Sequence, residues 1–161
     1  MRDSLVLFVT RDGHSRALAL DLGARLGSEA REIGDLVGRK GLFGFLRSGA
    51  QASRGAATPI SDPQVDLSSV RTVVLVQPVW ASAICPPIRS YLRAHSGELA
   101  GKRIGLFASA ASTRVSDFRA KFELEFGASL PLAACAVVNK RDDLAARERI
   151  LADFVAELAK N

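Results

Sequence analysis

Three features are scarce in this 161-residue chain, and each scarcity excludes a class of protein. Its two cysteines, Cys85 and Cys135, show neither a zinc-ligand spacing nor a C-x-x-C pattern, so we expect two buried thiols and no metal site. Aromatic residues are only 6% of the sequence and the basic residues are scattered, so nucleic-acid binding is not expected. No apolar run approaches the roughly 20 residues that cross a bilayer, which predicts a cytoplasmic protein without a transmembrane segment.

Several short functional motifs are also missing. Neither G-x-S-x-G nor H-E-x-x-H occurs, and residues 34–40 have the wrong spacing for a Walker loop. No G-x-G-x-x-G follows the first apolar run, which argues against a Rossmann dinucleotide site. A response regulator would need a phosphate-accepting aspartate after the third strand, where this chain has Gln77 and Pro78.

What is present is typical of a single α/β domain, which we expect to span residues 1–161. Hydrophobic residues make up 48% of the sequence, enough for a sizeable core. Apolar runs predict strands at 5–9, 72–76, 102–109 and 130–138, with a short edge strand at 29–33. Helical spacing predicts helices at 14–26, ended by Gly27, and at 86–95, 115–126 and 142–160. One face of the third is predicted to carry Val115, Phe118, Phe122 and Phe126. Strands that alternate with helices indicate a parallel sheet covered on both faces.

The first strand runs into a polar loop with the form of a phosphate cradle. Its residues are Thr10, Arg11, Asp12, Gly13, His14 and Ser15. The free N–H groups of such a loop and the positive end of the helix dipole converge on one point, where Thr10 and Ser15 can add hydroxyl donors. Asp12 has an alternative role as a helix cap that uses the same N–H groups. Arg11 and His14 have the alternative of being ordinary exposed residues.

Two further loops leave the carboxyl ends of predicted strands, at residues 78–82 and 109–113. Ligands of parallel sheets bind at this edge, so the three loops are expected to meet in space. Together they resemble the flavodoxin family. Residues 10–15 resemble its phosphate loop, commonly [T/S]-x-T-G-x-T; residues 78–81 resemble its P-x-W segment; and residues 106–110 fall where its third flavin loop begins.

The resemblance implies a flavodoxin-like domain that binds FMN, with a five-stranded parallel sheet of order 2-1-3-4-5 and helices on both faces. Carried over by position, the phosphate would be held by loop residues Thr10, Arg11, Gly13, His14 and Ser15, with Asp12 in the same loop. The isoalloxazine would be lined by Pro78, Val79, Trp80 and Ala81, and its far edge closed by Ser109, Ala110 and Ala111. Trp80 would stack on the ring; its alternative role is that of a core aromatic.

The implied function is electron transfer through the bound flavin, with a redox partner protein or a small-molecule acceptor; a homodimer is left open. One alternative is an NAD(P)H-dependent quinone reductase of the same fold. For it, Arg39, Lys40, Arg47 and Arg54 offer a basic lip in a glycine-rich segment, although a solvated loop explains them equally. Another alternative is a flavin-free interaction module, favoured by Asp12, where the family usually has threonine.

Overall fold

The longest apolar runs of the sequence form the middle of a sheet. The computed structural model describes residues 3–37 and 57–160. Its strands are β1 (Ser4–Phe8), β2 (Ala30–Glu32), β3 (Gly34–Asp35), β4 (Ile60–Ser61), β5 (Thr72–Pro78), β6 (Arg103–Ala110) and β7 (Leu132–Asn139). Its helices are α1 (His14–Leu26), α2 (Pro86–Ala94), α3 (Ser96–Leu99), α4 (Val115–Phe126) and α5 (Leu144–Leu158).

Five strands form the main sheet, in the order β2-β1-β5-β6-β7, and every neighbouring pair is parallel. Counted along the chain, these five strands have the predicted order 2-1-3-4-5, which is therefore confirmed. The labels differ because a small antiparallel pair, β3 and β4, comes between them in the chain. That pair was not predicted, since two-residue strands carry no periodicity to recognise.

Helices cover both faces of the sheet, because alternate residues of each strand point to opposite sides. On one face, α1 and α5 pack on Val74, Val76 and Phe107, and the Phe107 and Phe154 rings meet edge-on with their centroids 5.0 Å apart. On the other face, α2 and α4 pack on Leu75 and Leu106. Two separate apolar layers, one on each face of the sheet, therefore fix the strands from whose carboxyl ends the loops leave.

The predicted helices and strands are confirmed with shifts of one or two residues at their ends. Helix α1 begins at His14 and ends before Gly27, whose φ of 61° and whose N–H bond to Ala24 terminate it as expected. The predicted apolar face of α4 is right for Phe118, Phe122 and Phe126. It is wrong for Val115, which is 43% exposed because it occupies the first turn, at the edge of the sheet.

The prediction of two buried thiols is confirmed. Cys85 and Cys135 are both buried and unbridged, and burial raises the pKa of Cys135 to about 12. Within the two described ranges, no cluster of His, Cys, Asp and Glu side chains could hold a metal ion, and no helix is long and apolar enough to cross a membrane. The basic lip of Arg39, Lys40, Arg47 and Arg54 lies outside the described residues.

A buried arginine joins the two helices on the α2–α4 face. Arg89 of α2 is 2% exposed, and its Nε donates to Glu125 Oε1 of α4 over 2.7 Å. Arg93, one turn further along α2, donates to the same carboxylate oxygen over 2.9 Å. Charge-assisted bonds of this kind satisfy a buried guanidinium that would otherwise be costly to desolvate. Removing Glu125 alone would therefore destabilise the α2–α4 layer.

A histidine between two carboxylates joins the end of α2 to the segment that follows β4. His95 Nε2 lies 2.5 Å from Asp62 Oδ2, and its Nδ1 lies 2.8 Å from Glu98 Oε1. Its ring also packs on Tyr91, with 4.3 Å between centroids. Partial burial alone would lower the pKa of His95, but the hydrogen bonds to Glu98 and Asp62 and the charges of both outweigh it, so the pKa lies above the usual 6.5.

We predict that this cluster makes the stability of the protein pH-dependent. A raised folded-state pKa stabilises the fold fully below about pH 6.5, and the contribution is lost as the pH rises through the folded value. The difference in unfolding free energy between the native protein and His95→Gln should therefore be largest near pH 6 and shrink above it. Urea denaturation across a pH series measures this difference. A difference that does not change as the pH rises above 6 would contradict the prediction.

Candidate functional site

Loop 1 (residues 9–13) joins β1 to α1 and is closed by a hydrogen bond of its own. The N–H of Gly13 donates to Thr10 Oγ1 over 3.0 Å. Gly13 is the N-cap of α1, and its φ of 92° lies in the left-handed region, which glycine adopts without strain. The loop thus places the first turn of α1 directly beyond the carboxyl end of β1.

The first turn of α1 has backbone donors that the helix itself cannot use. The N-cap residue offers no side-chain acceptor, and the His14 N–H makes only a long, 3.4 Å contact with Asp12 Oδ1. Among the described residues, no acceptor is bound to the N–H groups of Ser15 or Arg16. Two available donors at the positive end of a helix dipole are suited to an anion.

Asp12 lies beside this turn in its ionised form. Its Oδ1 is 3.0 Å from His14 Nδ1, and the two side chains are 58% and 77% exposed. Partial burial acts to raise the pKa of Asp12, but hydrogen bonds from the His14 side chain and N–H, with the charge of Arg11, outweigh it and lower the pKa below 3.8. The capping alternative is thus right in part: Asp12 engages His14, but the N-cap is Gly13.

Loop 2 (residues 79–85) follows β5 and contains a tight turn without glycine. The N–H of Ala83 donates to the Trp80 carbonyl over 3.0 Å, and between them Ala81 and Ser82 have φ values of 49° and 55°. Left-handed conformations cost a non-glycine residue roughly 1–2 kcal/mol each. Trp80 is 8% exposed and belongs to the core on the α2–α4 face, so in this structure its indole lies mostly among apolar side chains.

Gln77, the residue before Pro78, binds the last residue of loop 2 through its side chain. Its side chain is fully buried, and its Oε1 accepts from the N–H of Cys85 over 2.7 Å. Among the residues that the structure describes, its Nε2 has no hydrogen-bond partner. Buried donors are nearly always satisfied by protein, water or ligand, so this amide is able to donate to a polar group at the base of loop 2.

Ser109, near the end of β6, connects the other two loops. Its carbonyl accepts from the N–H of Val79 in loop 2 over 2.8 Å. Its Oγ lies 3.1 Å from the Oγ of Ser15, the second residue of α1. The expectation that the three loops meet at one edge is confirmed by these two hydrogen bonds.

Loop 3 (residues 111–114) is fixed by an asparagine at the end of β7. The N–H of Thr113 donates to Asn139 Oδ1 over 2.7 Å, and Asn139 Nδ2 donates back to the Thr113 carbonyl over 3.2 Å. The carbonyl of Ala110 accepts from the N–H of Lys140 over 2.9 Å. Loop 3 therefore has a defined position although it lacks glycine and aromatic residues.

A cleft of about 450 Å³ opens between loops 2 and 3. Its lining is polar, with hydroxyl groups and charges of both signs: Ser82, Ser112, Thr113, Arg114, Asp117 and Lys121. The cleft lies at the same edge of the sheet as the first turn of α1. A ligand with a phosphate at loop 1 and a flat ring between loops 2 and 3 would find both sites on one surface.

The predicted site residues lie on these three loops or in the adjoining residues of α1, β5 and β6, but in different environments. The buried ones are Ser15 and Trp80. The partly exposed ones are Thr10, Pro78, Val79, Ser109 and Ala110, and the exposed ones are Arg11, Asp12, Gly13, His14, Ala81 and Ala111. Their role in binding a cofactor stays a prediction. Sequence reasoning missed Asn139, Arg114 and Lys121, since each follows or lies within an ordinary element and only the packing of loops reveals its position.

No family model matches the sequence, and no curated protein matches it. Solved structures do resemble it. A Bacteroides eggerthii protein is 19% identical, with a TM-score of 0.76 over 96% of this chain and 99% of that one. A flavoprotein from Lactobacillus acidophilus, crystallised in complex with FMN, is 16% identical, with a TM-score of 0.71 over 93% and 99%. An NADH:FMN oxidoreductase in its apo form is 13% identical, with a TM-score of 0.58 over 96% and 88%. The chain therefore has the flavodoxin-like fold.

We predict that the backbone of loop 1 requires glycine at position 13. A Cβ there would meet no atom within 4 Å, so Gly13→Ala tests the conformation alone, and we expect it to lower the unfolding free energy by about 1–2 kcal/mol. Urea denaturation of the ligand-free protein measures the loss. Gly97→Ala is the matched control, because Gly97 has equally open space and lies in α3 without a positive φ. Equal effects in the two variants would refute the requirement.

Proposed function

We propose that this protein binds FMN and transfers electrons through the bound flavin. The observation that carries the proposal is the first turn of α1 in a flavodoxin-like fold, where the N–H groups of Ser15 and Arg16 bind no acceptor within residues 3–37 and 57–160. A loop–helix junction of this form is a general anion site. It lies on the same edge as a cleft flanked by two further loops, which matches a ligand made of a phosphate and a planar ring.

The residues of loop 1 fit a phosphate group. Thr10 accepts from Gly13 through its oxygen, so its own hydroxyl proton is left to donate to a ligand. The N–H groups of Ser15 and Arg16 add two donors, and Arg11 adds a charge on the exposed side. Asp12 is the one unfavourable group, because its lowered pKa keeps a negative charge beside a dianion.

The residues of loops 2 and 3 fit a flavin ring less well than the residues of loop 1 fit a phosphate. The cleft offers hydroxyls from Ser82, Ser112 and Thr113, and both loops are fixed by hydrogen bonds through Ser109 and Asn139. Trp80 lies in the core, so it would have to turn outwards to stack on a ring. If it stays in the core, its role is to pack beneath loop 2. The flavin would supply the redox chemistry; the protein would bind it, orient it and set its electrostatic surroundings.

The proposal is tested by titrating the ligand-free protein with FMN and following the emission of Trp80, the only tryptophan. We expect FMN to bind, to quench Trp80, and to bind more tightly than riboflavin, which lacks the phosphate. Gly13→Ala should weaken FMN binding more than riboflavin binding, since it disturbs only loop 1. If FMN at high excess neither binds nor changes the emission, the flavin-free interaction module is left as the function.

A second prediction concerns the charge of Asp12. Asp12→Asn keeps an oxygen acceptor for His14 but removes the negative charge, so we expect FMN affinity to rise about two- to fivefold, or about 0.3–1 kcal/mol for an exposed charge at a helix end. Asp12→Thr should act in the same direction. Riboflavin affinity should not change, and the gain should shrink at high salt. An unchanged or weaker FMN affinity would show that Asp12 does not oppose the phosphate.

An NAD(P)H-dependent reductase is the second candidate, and the cationic rim of the cleft favours it. Arg114 and Lys121 could receive the phosphates of a nicotinamide nucleotide next to the ring. Anaerobic mixing with NADH or NADPH distinguishes the two functions. Rapid bleaching of the flavin indicates an enzyme, whereas bleaching by dithionite alone indicates a carrier that receives its electrons from a protein.

A further inference from the structure

The main sheet ends in two edge strands of different character. β2 is three residues long and carries Arg31 and Glu32, both exposed, and short charged strands are a common means by which proteins prevent pairing at an edge. β7 has eight residues, Leu132–Asn139, with no charge and no proline among them. Within residues 3–37 and 57–160, no strand pairs with its outer side. β7 is therefore the edge to which another strand can be added.

The backbone groups of β7 alternate in direction. The N–H of Lys140 donates to the Ala110 carbonyl of β6 over 2.9 Å, whereas the N–H of Asn139 donates on the other side, to a carboxylate that follows β7, over 2.6 Å. Because successive residues of a strand direct their backbone groups to opposite sides, the N–H and C=O groups of Val137 and Cys135 also point away from β6. The edge therefore presents donors and acceptors in the spacing that a further strand requires.

A groove of about 300 Å³ lies beside this edge. It is lined by β7 and by the helices on the two faces of the sheet: Val115 of α4, Cys135, Ala136 and Val137 of β7, and Ile150, Asp153, Phe154 and Glu157 of α5. One ion pair crosses the edge, from Arg119 of α4 to Glu157 of α5, with 3.8 Å between nitrogen and oxygen. This distance is too long for a hydrogen bond and both side chains are partly exposed, so the contact stabilises a closed edge only weakly.

The side of α5 at the groove carries opposite charges in its two halves. Asp153 and Glu157 line the groove, and Arg149 lies one turn before Asp153 on the same side of the helix. Arg149 and Asp153 are exposed, and neither forms an ion pair within the part of the chain that the structure describes. If two copies paired antiparallel through β7, their α5 helices would also be antiparallel on one face, and Arg149 of each copy would approach Asp153 of the other. Parallel pairing would bring like charges together.

We propose that two copies of this chain form a dimer through β7, with the two strands antiparallel and the sheet continuous across both copies. A two-fold axis relates the copies, so every contact occurs twice. The outward backbone groups of Cys135 and Val137 supply the strand pairing, and the charges of α5 fix its direction. The dimer does not depend on FMN, so it is tested on the ligand-free protein and independently of the proposed function.

Sedimentation equilibrium of the full chain measures the dissociation constant of the dimer. Arg149→Glu should raise this constant about three- to tenfold, because it replaces two attractive contacts across the axis by two repulsive ones. Asp153→Arg should act in the same direction. The two substitutions in one chain should restore the constant of the unmodified protein, because the pair forms again with its charges exchanged. Both side chains are exposed, so we expect every variant to fold.

Arg31→Glu is the matched control, since it makes the same charge change on β2, the other edge of the sheet. We expect it to leave the dissociation constant unchanged. A monomer at every concentration would overturn the proposal and leave a strand of another protein as the occupant of the groove. The proposal also fails if Arg31→Glu and Arg149→Glu weaken a dimer equally, or if the double variant does not restore the constant.

Discussion

The arrangement of the three loops depends on Ser109. Its carbonyl fixes loop 2 through Val79, and its hydroxyl meets Ser15 at the start of α1. The residue is near the end of β6, a strand flanked by β5 and β7, so its backbone has little freedom to move. One position in a central strand therefore links the start of α1 to loop 2. A ligand that spans loop 1 and the cleft would need this arrangement before it binds.

The two ends of the proposed site contain opposite electrostatic exceptions. Loop 1, which suits an anion, contains the ionised Asp12, while the cleft is bordered by the cations Arg114 and Lys121. If a phosphate binds at loop 1, Asp12 would oppose it, whereas the cations of the cleft would attract an anionic group.

The sequence predicted the strands of the sheet and four of the helices because their signals are local, whereas the order of the strands followed from the resemblance to the flavodoxin family. The buried run at 72–76 cannot be exposed on either face, and Phe118, Phe122 and Phe126 repeat at helical spacing. The loops were predicted in position but not in conformation. Ala81 and Ser82 adopt the left-handed turn usually reserved for glycine, and only the fixed ends of loop 2 explain why they do so. Asn139 likewise acts across the chain on Thr113, which no local pattern reveals.

Overall net charge is a poor guide to the surface that surrounds the site. The chain has an excess of five positive charges, and five basic residues lie outside the described ranges with no acidic residue among them: Arg2, Arg39, Lys40, Arg47 and Arg54. The described residues are therefore electrically balanced, and the basic isoelectric point comes from elsewhere in the chain. The net charge of the whole chain therefore says little about the cleft, whose field is set by charges within a Debye length of about 10 Å. For that reason the electrostatic field of the cleft depends on individual residues such as Lys121 and Asp117, and the total charge of the protein does not determine it.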